Sequence, residues 1–466
     1  MRSILMATSA LTFVGVIGSD AEAATCNMTG LTLVCSQPGS APVVIDQDGV
    51  SATIDAGADI TTGENAIEIE SNDVSVENNG LLDSGERAIR VTDGNGNISV
   101  ENNGTIRSVE QAVRADNDQE LPDLSVVNNG VIESIEGRAI QSRGPGTVVE
   151  NYGALYGFEE VVEARDGFSL YNAETALIEL ARVTRDASGT IIGKERQADE
   201  DGVQFASGEA ENHGTIIGTD DGIDMDEGRV FNGATGRIVS LGPEDLTDKG
   251  AVDMDAAFDN SRDPERPAGK VTVINEGYME GPRAVTAAYD PSLPDGDIEQ
   301  AKQQVEIVNW GIMVGRGGIA IGLAPTQGDS VLRISGDSEI HGDVLFGGGD
   351  DLLDIGALSS GMMVDGLFDG GDGANSVKLT DYMLEDVLSF DQLGADLFDL
   401  TLATLAGNVT ARFANWDDWS FGQAGPRYSS EELMAATSPV PLPAGMALLL
   451  SGLAGLGAMR RLRRRA

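Results

Sequence analysis

Three aspartates in a repeated pattern are the residues best suited to chemistry in this sequence. Asp221 and Asp224 lie in the stretch TDDGID at 219–224, and Asp253 takes the place of Asp224 in a later repeat. Two neighbouring carboxyl groups can act as general acid and general base, because a neutral carboxyl donates a proton and an ionised one accepts it. Asp221, Asp224 and Asp253 are therefore candidate catalytic residues.

The stretch at 219–224 resembles the Asn-Thr-Asp-Gly-Ile-Asp motif of polygalacturonases. The resemblance implies polysaccharide cleavage by aspartates on neighbouring coils, one supplying the acid and another activating water. The His-Gly and Arg-x-Lys motifs of that family are missing, and the chain has only two histidines, His213 and His341. The alternative is that the aspartates belong to a polar, outward-facing column of the repeat. That column reads Glu68, Arg90, Arg114, Gln141, Glu163, Gln204, Asp224, Asp253 and Thr286.

Two glycine-rich stretches make calcium the one candidate cofactor. Residues 370–377 (GGDGANSV) resemble a nonapeptide repeat of the RTX type, and residues 347–352 (GGGDDL) form an imperfect second copy. Hard oxygen ligands at such turns suit Ca²⁺, which makes Asp350, Asp351, Asp372 and Asn375 candidate ligands. RTX sites need tandem copies, whereas these two lie 23 residues apart (370 − 347). They could instead be ordinary turns of the repeat.

The elements that must position these residues come from an internal repeat built on Asn-x-Gly. Asn tolerates left-handed backbone angles and Gly removes the Cβ penalty at such angles, so the pair predicts a sharp turn. If the repeats stack, the Asn side chains should align as a ladder of amides. The nine positions are Asn78, Asn102, Asn128, Asn151, Asn172, Asn212, Asn232, Asn275 and Asn309.

A second element, such as 87–90 (RAIR), precedes the Asn unit, so each repeat offers three short stretches of alternating apolar and polar residues. Three short strands per repeat of some twenty residues are typical of a β-helix. The predicted fold class is all-β: a right-handed parallel β-helix with a C-terminal cap and a C-terminal transmembrane helix. Over about 45–421 the pattern resembles autotransporter passenger regions and pectate-lyase-like folds, which implies fold more than activity.

The beginning of the chain predicts export. Residues 1–23 combine a basic start, an apolar stretch and a small-x-small site at 21–23, which indicates a secretory signal peptide. Cys26 and Cys35 follow directly, and in an oxidising compartment we expect them to close a small loop by a disulfide. A metal site at these two thiols would be incomplete, because no histidine lies nearby.

The end of the chain predicts sorting. A short Pro motif, an apolar segment and an Arg cluster follow one another, and this order resembles the VPLPA-type relatives of PEP-CTERM signals. The resemblance implies processing by an exosortase-type enzyme in a Gram-negative bacterium, whereas the alternative is a plain membrane anchor with its Arg flank inside. The motif is Val440, Pro441, Leu442, Pro443 and Ala444, and the cluster is Arg460, Arg461, Arg463, Arg464 and Arg465.

These observations divide the chain into six parts. They are the signal peptide at 1–23, a disulfide-bearing cap at 24–44, the β-helix at 45–380, a C-terminal cap at 381–423, a linker at 424–439 and the sorting segment at 440–466. Three insertions, at 115–123, 255–267 and 289–297, interrupt the same corner of the repeat. Loops gathered on one flank of a scaffold are a common place for binding, although surface insertions are also tolerated without function.

The formal net charge of −46 opposes binding to nucleic acid or to anionic lipid. We expect a non-catalytic scaffold or adhesin of the cell surface or extracellular matrix, with secretion machinery and a sorting enzyme as partners. Two alternatives stay open: a polysaccharide hydrolase or lyase, and a surface module that binds calcium or glycan.

Overall fold

A computed structural model describes residues 26–92, 96–115, 123–246, 248–254, 269–287, 304–324, 326, 328–358, 365–404 and 407–437. These residues form a stack of short β-strands, most of which pair in parallel with the equivalent strand one coil later. Each coil has three faces. Face A holds the Ala-Ile element, face B the strand that leads to the repeated Asn, and face C the strand that follows it. The predicted all-β class of mostly parallel strands is confirmed, and the arrangement is consistent with a β-helix.

The strand bounds follow the three faces. Face A consists of Val43–Ile45, Ile67–Ile69, Ile89–Val91, Val113–Ala115, Ile140–Ser142, Val162–Glu163, Gly250–Met254, Arg283–Thr286 and Leu367–Asp369. Face B consists of Thr32–Cys35, Ser51–Ile54, Val74–Asn78, Ile98–Asn102, Leu124–Asn128, Val148–Asn151, Phe168–Asn172, Lys270–Asn275, Gln304–Asn309, Ser330–Gly336, Leu352–Leu358, Ser376–Leu379 and Asp418–Phe421. Face C consists of Asp59–Thr62, Leu81–Ser84, Thr105–Ser108, Val131–Ser134, Ala154–Gly157, Leu177–Leu180, Thr215–Gly218, Arg237–Ser240 and Tyr278–Gly281. Val203–Asn212 and Ile223–Asn232 run from face A into face B, while Ile312–Gly322 and Glu339–Leu345 run from face C into face A.

The core runs along the inside of the stack. Inward positions of each strand carry apolar residues that pair in register with their equivalents, as Val76, Val100 and Val126 do on face B. All three are at most 1% exposed, so burial of apolar surface holds successive coils together. The stacking of the column predicted from Glu68 to Thr286 is confirmed, because the strand register pairs its nine members one after another. Its predicted outward exposure is wrong at three of them, because Gln141, Asp253 and Thr286 are at most 4% exposed.

The predicted amide ladder is confirmed. Each of the first eight repeated Asn residues donates from Nδ2 to Oδ1 of the next at 2.7–2.8 Å, and Asn309 donates to Oγ of Ser338. All nine side chains are fully buried. Since a buried amide without partners is destabilising, this pairing explains how the stack tolerates a polar column inside it. We refer to the nine residues as the amide ladder.

The left-handed backbone predicted for the Asn-x-Gly pair is wrong, although the Asn side chain does bond to nearby backbone, as Asn102 does to the carbonyl of Gly104. Among the described residues other than Gly, positive φ occurs at Asp73, Asp199 and Asn415, so no ladder Asn is left-handed. Glycine is needed for space instead. A Cβ on Gly104 would lie 2.1 Å from the carbonyl oxygen of Gly80, and one on Gly130 would lie 2.0 Å from that of Gly104. The close approach of successive coils therefore excludes a side chain here.

The N-terminal end of the stack is closed by a hairpin. Cys26–Thr29 pairs antiparallel with Thr32–Cys35, and a disulfide joins Cys26 to Cys35. Thr32–Cys35 also pairs in parallel with Ser51–Ile54. The parallel stack thus begins within the region assigned from the sequence to a separate N-terminal cap.

At the C-terminal end the strands turn antiparallel. Val387–Gln392, Leu397–Thr404 and Gly407–Ala414 form a meander, preceded by a 3₁₀ turn at Leu384–Asp386. Trp416 and Trp419 are buried against it, at 4% and 0% exposure. The aromatic residues that the sequence concentrates here therefore cover the last coil.

The segment predicted as a linker at 424–439 is structured over its described part. Arg427–Ser429 pairs antiparallel with Asp418–Phe421, and a helix spans Ser430–Thr437. The helix start carries a capping box, because the Ser429 amide donates to Glu432 and the Glu432 amide donates to Oγ of Ser429. Leu433 is fully buried in the core. A buried apolar anchor and a satisfied helix start make this segment part of the fold.

A hairpin of Arg182–Arg185 and Ile191–Glu195 leaves the stack and packs on face C. It covers Glu133 and Glu179, each 1% exposed. Arg185 pairs with Glu133 at 3.0 Å, and Lys194 and Arg196 both pair with Glu179. The basic residues of this arm therefore neutralise the carboxylates that it buries.

Within the described part of the chain, no helix combines the length and the apolar character that a membrane span requires. The predicted signal peptide, sorting motif, transmembrane helix and Arg cluster lie outside the described residues.

Candidate functional site

The most unusual group of polar side chains lies at the corner where the chain enters face A. Five carboxyl groups from three successive coils meet there. We call them the acidic corner, which consists of Glu160, Glu200, Asp201, Asp220 and Asp221.

The strand register explains why these residues meet. Val162, Val203 and Ile223 occupy equivalent positions on face A, so the residues two places before them lie one above another at the corner. These are Glu160, Asp201 and Asp221. Glu200 and Asp220 precede the last two directly and flank the column.

Backbone amides hold the two innermost carboxyls. The amide of Asp221 donates to Oδ1 of Asp201 at 3.0 Å, and the amide of Gly250 donates to Oδ1 of Asp221 at 2.6 Å. Asp201 and Asp221 are 7% and 3% exposed. Each of these carboxyls thus links its own coil to the next, as the amides of the ladder do.

Two basic residues bound the corner. Arg138 forms ion pairs with Glu159 and Glu160, and Lys249 donates to Oδ2 of Asp220. Burial lowers the pKa of Lys249, but the hydrogen bond and charge of Asp220 outweigh it and raise that pKa. Two cations face five carboxyl groups, so the corner is not neutral when every acid is ionised.

The pKa values of the acids respond to this imbalance. Burial, together with the charge of Asp220, raises the pKa of Asp201 to about 8. Burial and the neighbouring aspartates also raise the pKa of Asp221 well above its usual range. Burial and the charges of Glu160 and Glu159 raise the pKa of Glu200 to about 7. Burial raises the pKa values of Glu160 and Asp220 as well. Part of the corner therefore holds protons near neutral pH.

The three candidate catalytic residues lie near one another, since the charges of Asp253 and Asp224 are among the causes, after burial, that raise the pKa of Asp221. Asp221 belongs to the acidic corner, whereas Asp224 and Asp253 are consecutive members of the column that runs from Glu68 to Thr286. Asp224 accepts from Nε2 of Gln204 at 2.8 Å, and Oδ1 of Asp253 accepts from the amide of Met254 at 2.7 Å. Asp253 is only 3% exposed.

Chemically, this arrangement can store and exchange protons. Burial lowers the pKa of Arg283, and the charge of nearby Asp253 partly offsets this by raising the same pKa. A basic residue beside the carboxyls is what the polygalacturonase-like interpretation requires. In such an enzyme, however, both catalytic carboxyls must contact the glycosidic bond of the substrate. Asp221 and Asp253 are instead buried and hydrogen-bonded to the backbone. The burial favours a structural role for these aspartates.

The candidate calcium ligands differ in burial and are engaged in hydrogen bonds. Asp350 and Asp372 are exposed, whereas Asp351 and Asn375 are buried. Asp351 accepts from the amide of Ser330 at 2.6 Å, and Asn375 accepts from the amide of Asp351 at 3.0 Å. These side chains bond successive coils to each other, which agrees with the interpretation of both glycine-rich stretches as turns. Burial raises the pKa of Asp351 to about 7, which further weakens it as a ligand.

Across the described ranges, the one group of three His, Cys, Asp or Glu side chains close enough to share a metal ion is Asp201, Asp220 and Asp221. Their oxygens lie within 4.8 Å of one another. Lys249 already donates a hydrogen bond to Asp220, and backbone amides donate to Asp201 and Asp221. The donor set suits a hard cation in type, but its hydrogen-bond partners compete with one.

Sequence reasoning missed Asp201, Glu160, Glu200 and Lys249. A signal for the first was present, because Asp201-Gly202-Val203 repeats the pattern of Asp221-Gly222-Ile223 one coil earlier. Nothing comparable indicated Lys249, which lies in an insertion of irregular length. The insertions predicted as a binding flank fall almost entirely outside the described residues.

The described residues define the protein as an all-β chain of mostly parallel strands, consistent with a β-helix. Comparison with protein-family models, with curated proteins and with solved structures gave no match. Function must therefore be inferred from the chain itself.

Proposed function

We propose that this chain is a non-catalytic scaffold or adhesin, exported to the cell surface or extracellular matrix. The observation that supports the proposal is that buried polar side chains hold the coils together. The amide ladder, the acidic corner and the Asp351–Asn375 pair all hydrogen-bond one coil to the next. Groups that could do chemistry are thus engaged in holding a long, regular body together.

The location rests on the two ends of the sequence. Residues 1–23 have the composition of a secretory signal, and 440–466 combine the VPLPA-type motif with an apolar segment and an Arg cluster. In this proposal the body is a right-handed β-helix, carried outward by secretion machinery. An exosortase-type enzyme of a Gram-negative bacterium then processes the tail, or the apolar segment anchors it as a transmembrane helix. The disulfide at Cys26 and Cys35 is in keeping with an oxidising destination.

Location is tested by producing an epitope-tagged chain in a Gram-negative host that has exosortase, and by adding protease to intact cells. We expect the wild-type tag to be cleaved, because it reaches the surface. Pro441→Ala with Pro443→Ala should leave the tag protected, whereas Pro291→Ala with Pro294→Ala, the control outside the motif, should not. A tag that stays protected in the wild-type chain would refute export to the surface.

A polysaccharide hydrolase or lyase is the second candidate, favoured by the raised pKa values of Asp201 and Asp221. The purified chain is incubated with acidic and neutral polysaccharides, and new reducing ends or unsaturated products are recorded for wild type and Asp224→Ala. The scaffold proposal predicts no cleavage by either. Cleavage that Asp224→Ala abolishes would replace the scaffold by an enzyme.

A further inference from the structure

Four aromatic rings on successive coils form a line on the outside of the stack, beside the amide ladder. Tyr152 and His213 directly follow their ladder Asn residues, while Tyr171 and Phe231 directly precede theirs. Ring centroids are 5.8 Å apart from Tyr152 to Tyr171, 5.7 Å from Tyr171 to His213 and 5.7 Å from His213 to Phe231. We call these four residues the aromatic strip.

The strip is accessible to solvent. Tyr152 is 43% exposed, and the other three rings are half-buried by one another. Neighbouring rings are tilted by 51°, 51° and 66° rather than stacked face to face. Tilted rings at this spacing do not cover one another's π-faces as stacked rings would.

The fold does not require rings at these positions. One coil earlier in the chain, the position of Tyr152 is held by Asn129, which donates to Asn103 at 2.8 Å, and Asn103 donates to Asn79 at 3.0 Å. The first coils thus carry a line of exposed amides along this edge, and the later coils carry aromatic rings. The change of chemistry along one edge of a uniform stack needs a reason other than coil formation.

Polar groups accompany the rings. The hydroxyl of Tyr152 donates to Oε2 of Glu150 at 3.0 Å, and Nε2 of His213 lies 2.7 Å from Oε1 of Glu211. The guanidinium of Arg229 lies over Phe231, 5.4 Å from its centroid. Each carboxylate keeps a second oxygen and further lone pairs for an incoming donor. The strip therefore offers apolar faces with hydrogen-bond acceptors at their edges.

This combination matches the chemistry of a sugar ring. A pyranose carries an apolar C–H face, whose slightly positive hydrogens are attracted to the negative face of an aromatic ring, and a rim of hydroxyl donors. Successive ring centroids lie 5.7–5.8 Å apart on coils that rise by roughly 4.8 Å, so the rings advance from coil to coil at a pace similar to that of the sugars in an extended β-linked chain. Charge selects the partner further, since a chain of net charge −46 repels acidic glycans while neutral hydroxyls suit Glu150 and Glu211.

We propose that the aromatic strip binds an extended, β-linked glycan of uncharged sugars, with about one sugar on each ring. The inference rests on the proposed extracellular role, since it gives an adhesin its ligand. It locates binding on a regular edge of the stack, beside the amide ladder and not at the acidic corner.

The test is isothermal titration of the purified full-length chain with β-1,4-linked hexasaccharides of glucose, mannose and N-acetylglucosamine. Oligogalacturonate is the acidic comparison. At least one neutral hexasaccharide should bind, and oligogalacturonate should not. Tyr171→Ala should weaken binding about tenfold, because it removes the second ring of four. Tyr171→Phe keeps the ring and should retain wild-type affinity.

Trp310→Ala is the matched control, since Trp310 is 44% exposed at the position equivalent to Tyr152 in a later coil, outside the strip. Thermal unfolding of each variant separates loss of binding from loss of fold. Absence of binding to every neutral hexasaccharide, or equal binding by wild type and a folded Tyr171→Ala, would refute the strip as a glycan site. Failure of the proposed function would show differently, as a chain that never reaches the cell surface.

Discussion

The amide ladder and the acidic corner are two polar columns of the same stack, and they solve the problem of burial in opposite ways. Every ladder amide has both a donor and an acceptor, so each coil satisfies the next without any proton being gained or lost. A carboxylate only accepts. Stacked acids therefore depend on backbone amides, on Lys249 and Arg138, and on retained protons. The comparison teaches that the ladder is indifferent to pH while the corner is not.

The sharpest way to break this contrast is to place an acid in the ladder with Asn128→Asp. Nδ2 of Asn128 donates to Oδ1 of Asn151 and to the carbonyl of Ala154, at 2.8 and 3.2 Å. An ionised Asp would instead face two acceptors in a buried site. We expect a loss of about 4 kcal/mol in unfolding free energy at pH 8.

The loss should shrink at pH 4, because a protonated Asp regains one donor. Urea unfolding at both pH values measures it. Asn129→Asp, on the adjacent exposed position, is the control and should change stability little. Equal effects of the two variants would contradict the structural role given to the ladder.

A slightly smaller effect is expected when the ladder is interrupted by Asn102→Ala. The variant removes the shortest hydrogen bond of the Nδ2 group of Asn78 and of the Oδ1 atom of Asn128, both buried, and leaves only their longer bonds to nearby backbone. The loss of two buried hydrogen bonds and the cavity left in the ladder should lower the unfolding free energy by about 3 kcal/mol. Asn103→Ala removes an exposed amide of the same coil and should cost less than about 1 kcal/mol. The urea midpoints of the two variants are compared, and a midpoint for Asn102→Ala as high as that for Asn103→Ala would argue against the ladder.

The smallest effect, and the one of opposite sign, is expected from Asp221→Asn. The folded pKa of Asp201 is raised from 3.8 to about 8, and that of Asp221 is raised too, so the folded state holds protons that the unfolded state releases. This contribution to stability is complete below about pH 4 and is lost as the pH rises to about 8. An amide at 221 does not ionise. We expect the variant to be more stable than wild type at pH 8.5, by about 1 kcal/mol, and to have a flatter pH profile.

Thermal unfolding between pH 4 and 9 measures that profile. Asp59→Asn, an exposed change on face C, should follow the wild-type curve. Coincident profiles of the wild type and Asp221→Asn would show that the corner does not exchange protons in this pH range.

The features that repeat in every coil could be predicted from the sequence, whereas features that occur only once were missed. The nine ladder Asn residues and the column from Glu68 to Thr286 could be aligned from the sequence. Strand pairing in a fixed register places each of these residues directly above its equivalent in the preceding coil. The acidic corner was found only in part, since Asp201 follows the hairpin arm of 182–195, whose length obscures the coil spacing. The helix at Ser430–Thr437 was overlooked although its capping box at Ser429 and Glu432 was visible. Burial of Asp221 and Asp253 could not be predicted, because it depends on the residues of neighbouring coils rather than on the motif.

The direction of the amide ladder has one further consequence. All eight links point the same way, with Nδ2 of each Asn aimed at the Asn that follows in sequence, from Asn78 to Asn309. Aligned amide dipoles add and polarise one another, as they do along an α-helix. The ladder therefore has an electrical polarity along the stack, positive toward its C-terminal end.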